Sequence, residues 1–254
     1  MDGTALAQLR QAVQVTPADR AARLALLKAL IASDSWQEAA EVGAPLAQLS
    51  TPPLEVHALL ATVYGKLARW DAAVQHGRQA LAQQPEDALM WFNLGTALAH
   101  QGDDEAALEA FDKAIEQQDD WAEVHYNRGI VLLRLERYAN ALDAFERATE
   151  LRETYAEAHF SCGNVHAMKG LEADGGLDYY EIDCAITAYK RAIQHRPGYT
   201  AALYNLGMLY GRMGSNEGLR VWDQFLEAAS EQPEEETWRM RAQEFRHDLQ
   251  DRLR

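Results

Sequence analysis

MWFNLGTAL at 90–98 decides how the rest of the chain is read, because it recurs. VHYNRGIVL at 124–132, AHFSCGNVH at 158–166 and ALYNLGMLY at 202–210 keep its pattern: an aromatic, then Asn or Ser, one variable residue, then Gly. The glycines Gly95, Gly129, Gly163 and Gly207 are spaced by 34, 34 and 44 residues. Downstream of them, Ala107/Phe111/Ala114, Ala141/Phe145/Ala148 and Ala185/Tyr189/Ala192 share one internal spacing. Steps of four and three residues put each triplet on one face of a helix. Pro17 and Pro85 stand 68 residues apart, twice the same period, and Pro197 and Pro233 stand 36 apart. Self-similarity at this length means one supersecondary unit stacked repeatedly.

Composition agrees with a helical array. Of 254 residues, 48% are apolar and 25% charged, which suits a folded chain. Only 7 Pro and 16 Gly argue against an all-β protein full of tight turns. Two cysteines make neither a disulfide framework nor a structural zinc spacing. No run approaches the length of apolar residues that spans a bilayer, and Met1-Asp2-Gly3-Thr4 opens no signal peptide, so a cytoplasmic location is expected. With 39 acids against 24 bases the net charge is −15, which disfavours nucleic acid and anionic membranes as partners. Neither H-E-x-x-H, a phosphate-cradling Gly-rich loop nor G-x-S-x-G occurs, so no enzyme activity and no cofactor are expected.

The repeated residues resemble the tetratricopeptide repeat, a helix–turn–helix with large residues at 4 and 11, Leu-Gly at 7–8, Ala at 20 and 27, an aromatic at 24 and Pro at 32. The resemblance implies an all-α fold, a right-handed α-solenoid of such repeats with a C-terminal capping helix. Repeats then span 20–53, 54–87, 88–121, 122–155, 156–199 and 200–235, beginning at Arg20, Leu54, Ala88, Ala122, Ala156 and Thr200. Residues 1–19 read as a lone second helix carrying Leu9, Ala12 and Pro17. Residues 236–254 read as the cap, with the stripe Trp238, Ala242, Phe245, Leu249. No single repeat buries enough apolar surface to fold alone, so neighbours must stack.

Three departures stand out. Pro45 lies inside the second helix of the first repeat, where its missing N–H predicts a kink or break. An insert at about 171–181 adds ten residues between Gly170 and Ala185; Asp178 with Glu181 reads as an N-cap and its capping-box partner, opening a lengthened helix. About two extra residues are expected around Ser215–Gly218.

In the family that the chain resembles, the first helices line a groove and positions 2, 5, 6, 9, 12 and 13 face into it. Position 5 would present Phe92, Tyr126, Phe160 and Tyr204; position 6, Asn93, Asn127, Ser161 and Asn205; position 9, Thr96, Ile130, Asn164 and Met208. Position 13 contributes Lys66, His100, Arg134, Met168 and Arg212. An amide both donates and accepts, so an Asn row can grip an extended backbone whatever its side chains. Helices about 8–10 Å apart and a strand rise of about 3.3 Å per residue place one Asn at roughly every third peptide residue. Over positions 1–14 of the six repeats there are eight bases and three acids, so this wall is less acidic than the rest of the chain. The tails of large chaperones are not the expected ligand, since position 5 is Phe or Tyr beside each Asn and no repeat has Arg at 6.

A non-catalytic adaptor holding an extended peptide of a protein partner is therefore expected, with self-association as the alternative: an acidic face of one copy entering the groove of the next. A third reading is a metal-dependent enzyme using His159, Cys162 and His166, with Cys184 as a fourth ligand. Positions 4, 7 and 11 are packing positions in every repeat, so packing is the expectation there and no metal is assigned. His57 and His125, also at position 4, read as half-polar core fillers. Asp174, Asp178 and Glu181 lack the ligand order of a calcium loop and read as solvated.

Overall fold

The computed structural model describes residues 3–171, 176–230 and 236–254. Every regular element among them is an α-helix, and helices follow one another as sequential hairpins. Strand character is confined, among the described residues, to a single bridge between Leu171 and Leu177. The chain divides into two compact units, Met1–Leu135 and Glu136–Arg254. The first holds α1 (Gly3–Val15), α2 (Arg20–Ala32), α3 (Trp36–Ala47), α4 (Val56–Lys66), α5 (Trp70–Leu81), α6 (Ala88–Gln101), α7 (Asp104–Gln117) and α8 (Ala122–Arg134). The second holds α9 (Tyr138–Leu151), α10 (Ala156–Gly170), α11 (Tyr179–His195), α12 (Thr200–Met213), α13 (Glu217–Ala229) and α14 (Glu236–Arg252).

Local chemistry sets the helix ends. The Asp19 carboxylate accepts from the backbone N–H groups of Ala21 and Ala22, and Asp87 accepts from that of Met90, so orphan donors of the first turn are met. Gly102 and Gly214 close α6 and α12 with φ of 84° and 64°, a left-handed turn that costs glycine little.

Within a hairpin the repeated glycine sits under the repeated aromatic. A Cβ on Gly95 would stand 2.8 Å from the Phe111 ring, one on Gly163 2.5 Å from Tyr189, and one on Gly207 2.8 Å from Trp222. The helices thus approach until only hydrogen separates backbone from ring, and the ring fills the space that Ala107, Ala185 and Gly218 leave. Phe111, Tyr189 and Trp222 are accordingly buried. In the first unit a core of Leu26, Leu27, Leu30, Leu46, Leu60 and Val63 joins α2, α3 and α4. In the second, Ile182, Leu203, Leu206, Phe225 and Leu249 continue the core around Tyr189 and Trp222. Each such side chain stabilises by about 1.5–3 kcal/mol. Helix α1 is pinned by a bidentate pair between Arg10 and Glu38, at 2.8 and 2.6 Å.

Three local expectations change. Helix α3 runs through Pro45 and ends two residues later at Ala47, so no break occurs; so near the end, proline removes one bond and little helix remains to distort. Asp178 caps α11 by accepting from Tyr180 and Glu181, but the box is not reciprocal: the Asp178 N–H bonds the Gly170 carbonyl, while Glu181 turns to His166 and Lys169. The last hairpin gains no residues between its glycine and its ring, although the α12–α13 connection, 214–216, is one residue longer than the α6–α7 one, 102–103. Gly207 and Trp222 lie 15 residues apart against 16 for Gly95 and Phe111, and Gly218 takes the small-residue place beside Tyr210 and Leu249.

Candidate functional site

In the first unit, α6 and α8 present a pocket of about 210 Å³. Thr96, Asn127, Ile130 and Arg134, all expected groove residues, line it with Phe111 at its base. Their spacing brings them together: 127, 130 and 134 are i, i+3 and i+7 on α8, and α6 supplies the same register one repeat earlier. Asn127 and Ile130 are half-buried, as a side chain awaiting a contact would be.

Neighbouring side chains are already engaged. Phe92 lies against Phe111 and Trp121, with ring centres 6.1 and 4.7 Å apart. The Thr96 hydroxyl donates to the Phe92 carbonyl at 2.9 Å, leaving chiefly its methyl for the pocket. Asn93 donates to the Thr62 hydroxyl at 3.4 Å. Arg134 makes an ion pair with Asp104 and donates to the Ala99 carbonyl at 3.1 Å. His100 stacks on Trp70 at 4.1 Å, and Lys66 lies over the Trp36 ring. The basic row at position 13 is therefore partly neutralised within the unit itself. Tyr126 is half-buried on α8.

In the second unit the expected residues form two groups. Asn164 accepts from the Tyr189 hydroxyl at 2.8 Å and from Asn205 at 2.9 Å, so three polar side chains from α10, α11 and α12 satisfy one another. Burial pushes the Tyr189 phenol up, so it stays a donor. Ser161 is buried, and Phe160 packs on Tyr199 and Tyr189. Tyr204 meets Trp222, Phe225 and Trp238 edge-on. With Asn205 it lines an apolar pocket of about 240 Å³ against Phe225 and Trp238. Met208 and Arg212 line a smaller pocket of about 130 Å³ with Trp222, Phe245 and Arg252.

Comparison with known proteins agrees with the fold. Residues 59–120 and 122–155 each match a family model described as Tetratricopeptide repeat. The chain is a tetratricopeptide repeat protein. Such repeats are generally protein-interaction modules and usually non-catalytic. Among solved structures, a MamA protein is 23% identical over 71% of this chain and 94% of its own, with a TM-score of 0.62. YrrB, titled a TPR protein with an unusual peptide-binding site, is 23% identical over 71% of this chain and 88% of its own, at 0.58. The C-terminal part of a TPR repeat-containing protein from Cytophaga hutchinsonii is 13% identical over 80% and 78%, at 0.67. At such identities the likeness is one of fold. No curated protein sequence matches the chain.

The side chains considered for metal in this tetratricopeptide repeat protein have separate protein partners. His159 Nε2 is 2.8 Å from the Glu153 carbonyl, and its ring stacks on His195. His166 Nδ1 is 2.6 Å from a Glu181 oxygen. Cys162 is buried, which pushes its thiol up to about 12. Among the described residues, no three His, Cys, Asp or Glu side chains form a group that could hold a metal ion. Asp174 lies outside the described residues. His57 and His125 are buried, each with a polar partner, His76 for one and the Asp119 carbonyl for the other. No described helix is long and apolar enough to cross a membrane.

Reading by sequence missed Trp238, Phe245 and Arg252 as lining residues. Trp238 and Phe245 were legible only as a packing stripe, yet they remain 45% and 36% exposed beside Ala242 and Leu249, which are buried. Nothing local distinguishes a capping helix from one more groove wall.

Proposed function

We propose that this protein is a non-catalytic adaptor that holds an extended segment of a partner protein against the first helices of its repeats. The observation that carries the reading is the α6–α8 pocket, where Thr96, Asn127, Ile130 and Arg134 converge around space for one side chain. Asn127 offers a donor and an acceptor beside that space, and Ile130 and Phe111 offer apolar surface, the combination that anchors a side chain while gripping its backbone. YrrB, similar in fold, is described as a TPR protein with an unusual peptide-binding site.

The test is to select ligands from a random peptide display library against the full chain and measure the winners by calorimetry. Asn127→Ala should weaken binding by about 1 kcal/mol, the net worth of a typical hydrogen bond. Ile130→Asp, which places a charge in the pocket, should cost more. Undiminished binding to an Asn127→Ala/Ile130→Asp double variant would remove the α6–α8 site from the reading.

A further inference from the structure

On the second unit, α12 and α14 form the two walls of a cleft floored by α13, and its two pockets differ in chemistry. The larger, of about 240 Å³, is closed by Tyr204, Phe225 and Trp238. The smaller, of about 130 Å³, has Met208, Trp222 and Phe245 inside and Arg212 and Arg252 at its rim. Both arginines are exposed, and neither has an acidic partner among the described residues. Arg252 donates only to the backbone carbonyls of Asp248 and Gly211, at 3.4 and 3.3 Å. Of the other arginines of α14, Arg246 pairs with Asp223 at 2.7 Å and Arg241 lies over the Trp238 ring, while the buried Nε of Arg239 has no hydrogen-bond partner among the described residues. Two unpaired guanidinium groups at one pocket are conspicuous in a chain of net charge −15.

A second observation points to the same place. Trp222 is fully buried, yet its indole Nε1 has no hydrogen-bond partner among the described residues. Buried donors are almost always satisfied, and an unmet one asks what supplies the acceptor. Its neighbour Cε2 lies 2.8 Å from where a Cβ on Gly207 would stand, and Gly207 lines the small pocket.

Resting on the adaptor reading and deepening it, we infer that this cleft binds a peptide segment in which an apolar side chain and a glutamate stand three residues apart. The apolar side chain enters the Tyr204–Phe225–Trp238 pocket. The glutamate lays its two methylenes against Met208 and Phe245, and its carboxylate takes donors from Arg212 and Arg252. The spacing follows from geometry: the α12 residues of the two pockets are offset by seven positions, about 10 Å of helix, which an extended chain covers in about three residues. Chemistry decides which pocket takes which group, since the larger is mostly apolar and the smaller carries the two arginines. Bidentate donation by arginine is the strong form of carboxylate recognition.

The probes are two synthetic peptides, Ac-SGLSGEGS-NH2 and Ac-SGESGLGS-NH2, which cover both directions of the chain, and the same pair with Gln for Glu. The readout is the indole N–H spectrum of the ¹⁵N-labelled full chain, whose six tryptophans are resolved by a Trp222→Phe variant. One Glu peptide should shift the Trp222 indole signal. Its Gln counterpart should bind about tenfold more weakly, as should the Glu peptide to an Arg212→Gln/Arg252→Gln variant, and raising salt should reduce the difference. Equal binding of Glu and Gln peptides, or no movement of the Trp222 signal, overturns the inference. So does self-association of the wild type that the double arginine variant abolishes, because a second copy would then be the occupant. Failure here with library peptides still bound at Asn127 and Ile130 leaves the adaptor reading standing; failure of both removes it.

Discussion

Replacing Gly163 by Ala tests the register on which the stacking depends. A Cβ at that position would lie 2.5, 2.6 and 3.1 Å from Cε1, Cδ1 and Cγ of Tyr189. The ring has nowhere to go: it is 1% exposed, flanked by Phe160, and tied through its hydroxyl to Asn164. Overpacking of this kind costs about 1–3 kcal/mol. Displacing the ring also strains the Tyr189–Asn164 bond, worth about 1 kcal/mol. Against these, Ala gains about 1 kcal/mol over Gly in helix propensity. The net expectation is a loss of about 1–3 kcal/mol, or a drop in melting temperature of roughly 2–4 °C per kcal/mol for a chain of this size. Gly65 is the control, since it is also helical and a Cβ there meets nothing within 4 Å. Gly65→Ala should raise the melting temperature, followed by circular dichroism, while Gly163→Ala lowers it. If both variants are stabilised alike, the close approach of α10 and α11 is not what holds this hairpin.

Three further expectations follow from single sites. Ala68 ends the α4–α5 turn at φ 54°, a left-handed conformation that costs a non-glycine residue about 1–2 kcal/mol, so Ala68→Gly should stabilise by about 1 kcal/mol in urea denaturation. His76 shares a 2.9 Å Nδ1–Nδ1 contact with His57, and burial first, then the neighbouring ring, lowers its pKa from 6.5 to about 4. The unfolded chain then binds more protons between those values, so stability contributed by the neutral ring is present above pH 6.5 and lost as pH falls towards 4. A His76→Gln variant should show a shallower decline of its urea midpoint over that window, and an unchanged decline would contradict the assignment. Cys162 is buried with its thiol pushed up to about 12, whereas Cys184 is half-buried, so a thiol reagent at pH 8 should modify Cys184 first and Cys162 only on unfolding.

Much of the fold was legible because its determinants are local. Helix starts at Arg20, Ala88, Ala122, Ala156 and Thr200 follow from the period and from caps such as Asp19 and Asp87. The glycine-under-aromatic contact follows from a fixed count of residues along one hairpin. Side chains of the candidate site were less legible. Asn205 occupies the position expected of a peptide-gripping amide and Asn164 another groove-facing position, yet they bond each other across 41 residues of sequence. Arg134, expected to offer free charge, is paired with Asp104, 30 residues earlier. Such partners are chosen by which side chains the packed helices bring within 3 Å, and a one-dimensional pattern carries no term for that distance.

The sequence by itself determined the repeating unit, its helical period and which face of each helix is apolar, because backbone hydrogen bonding and side-chain size act within a few residues. Only the tertiary structure decided which polar groups on the first helices remain available. It paired Asn205 with Asn164 and Arg134 with Asp104, and it left Arg212 and Arg252 without an acidic partner among the described residues. A charge or an amide is satisfied by whatever stands nearest in space, and that neighbour is set only once the helices have packed.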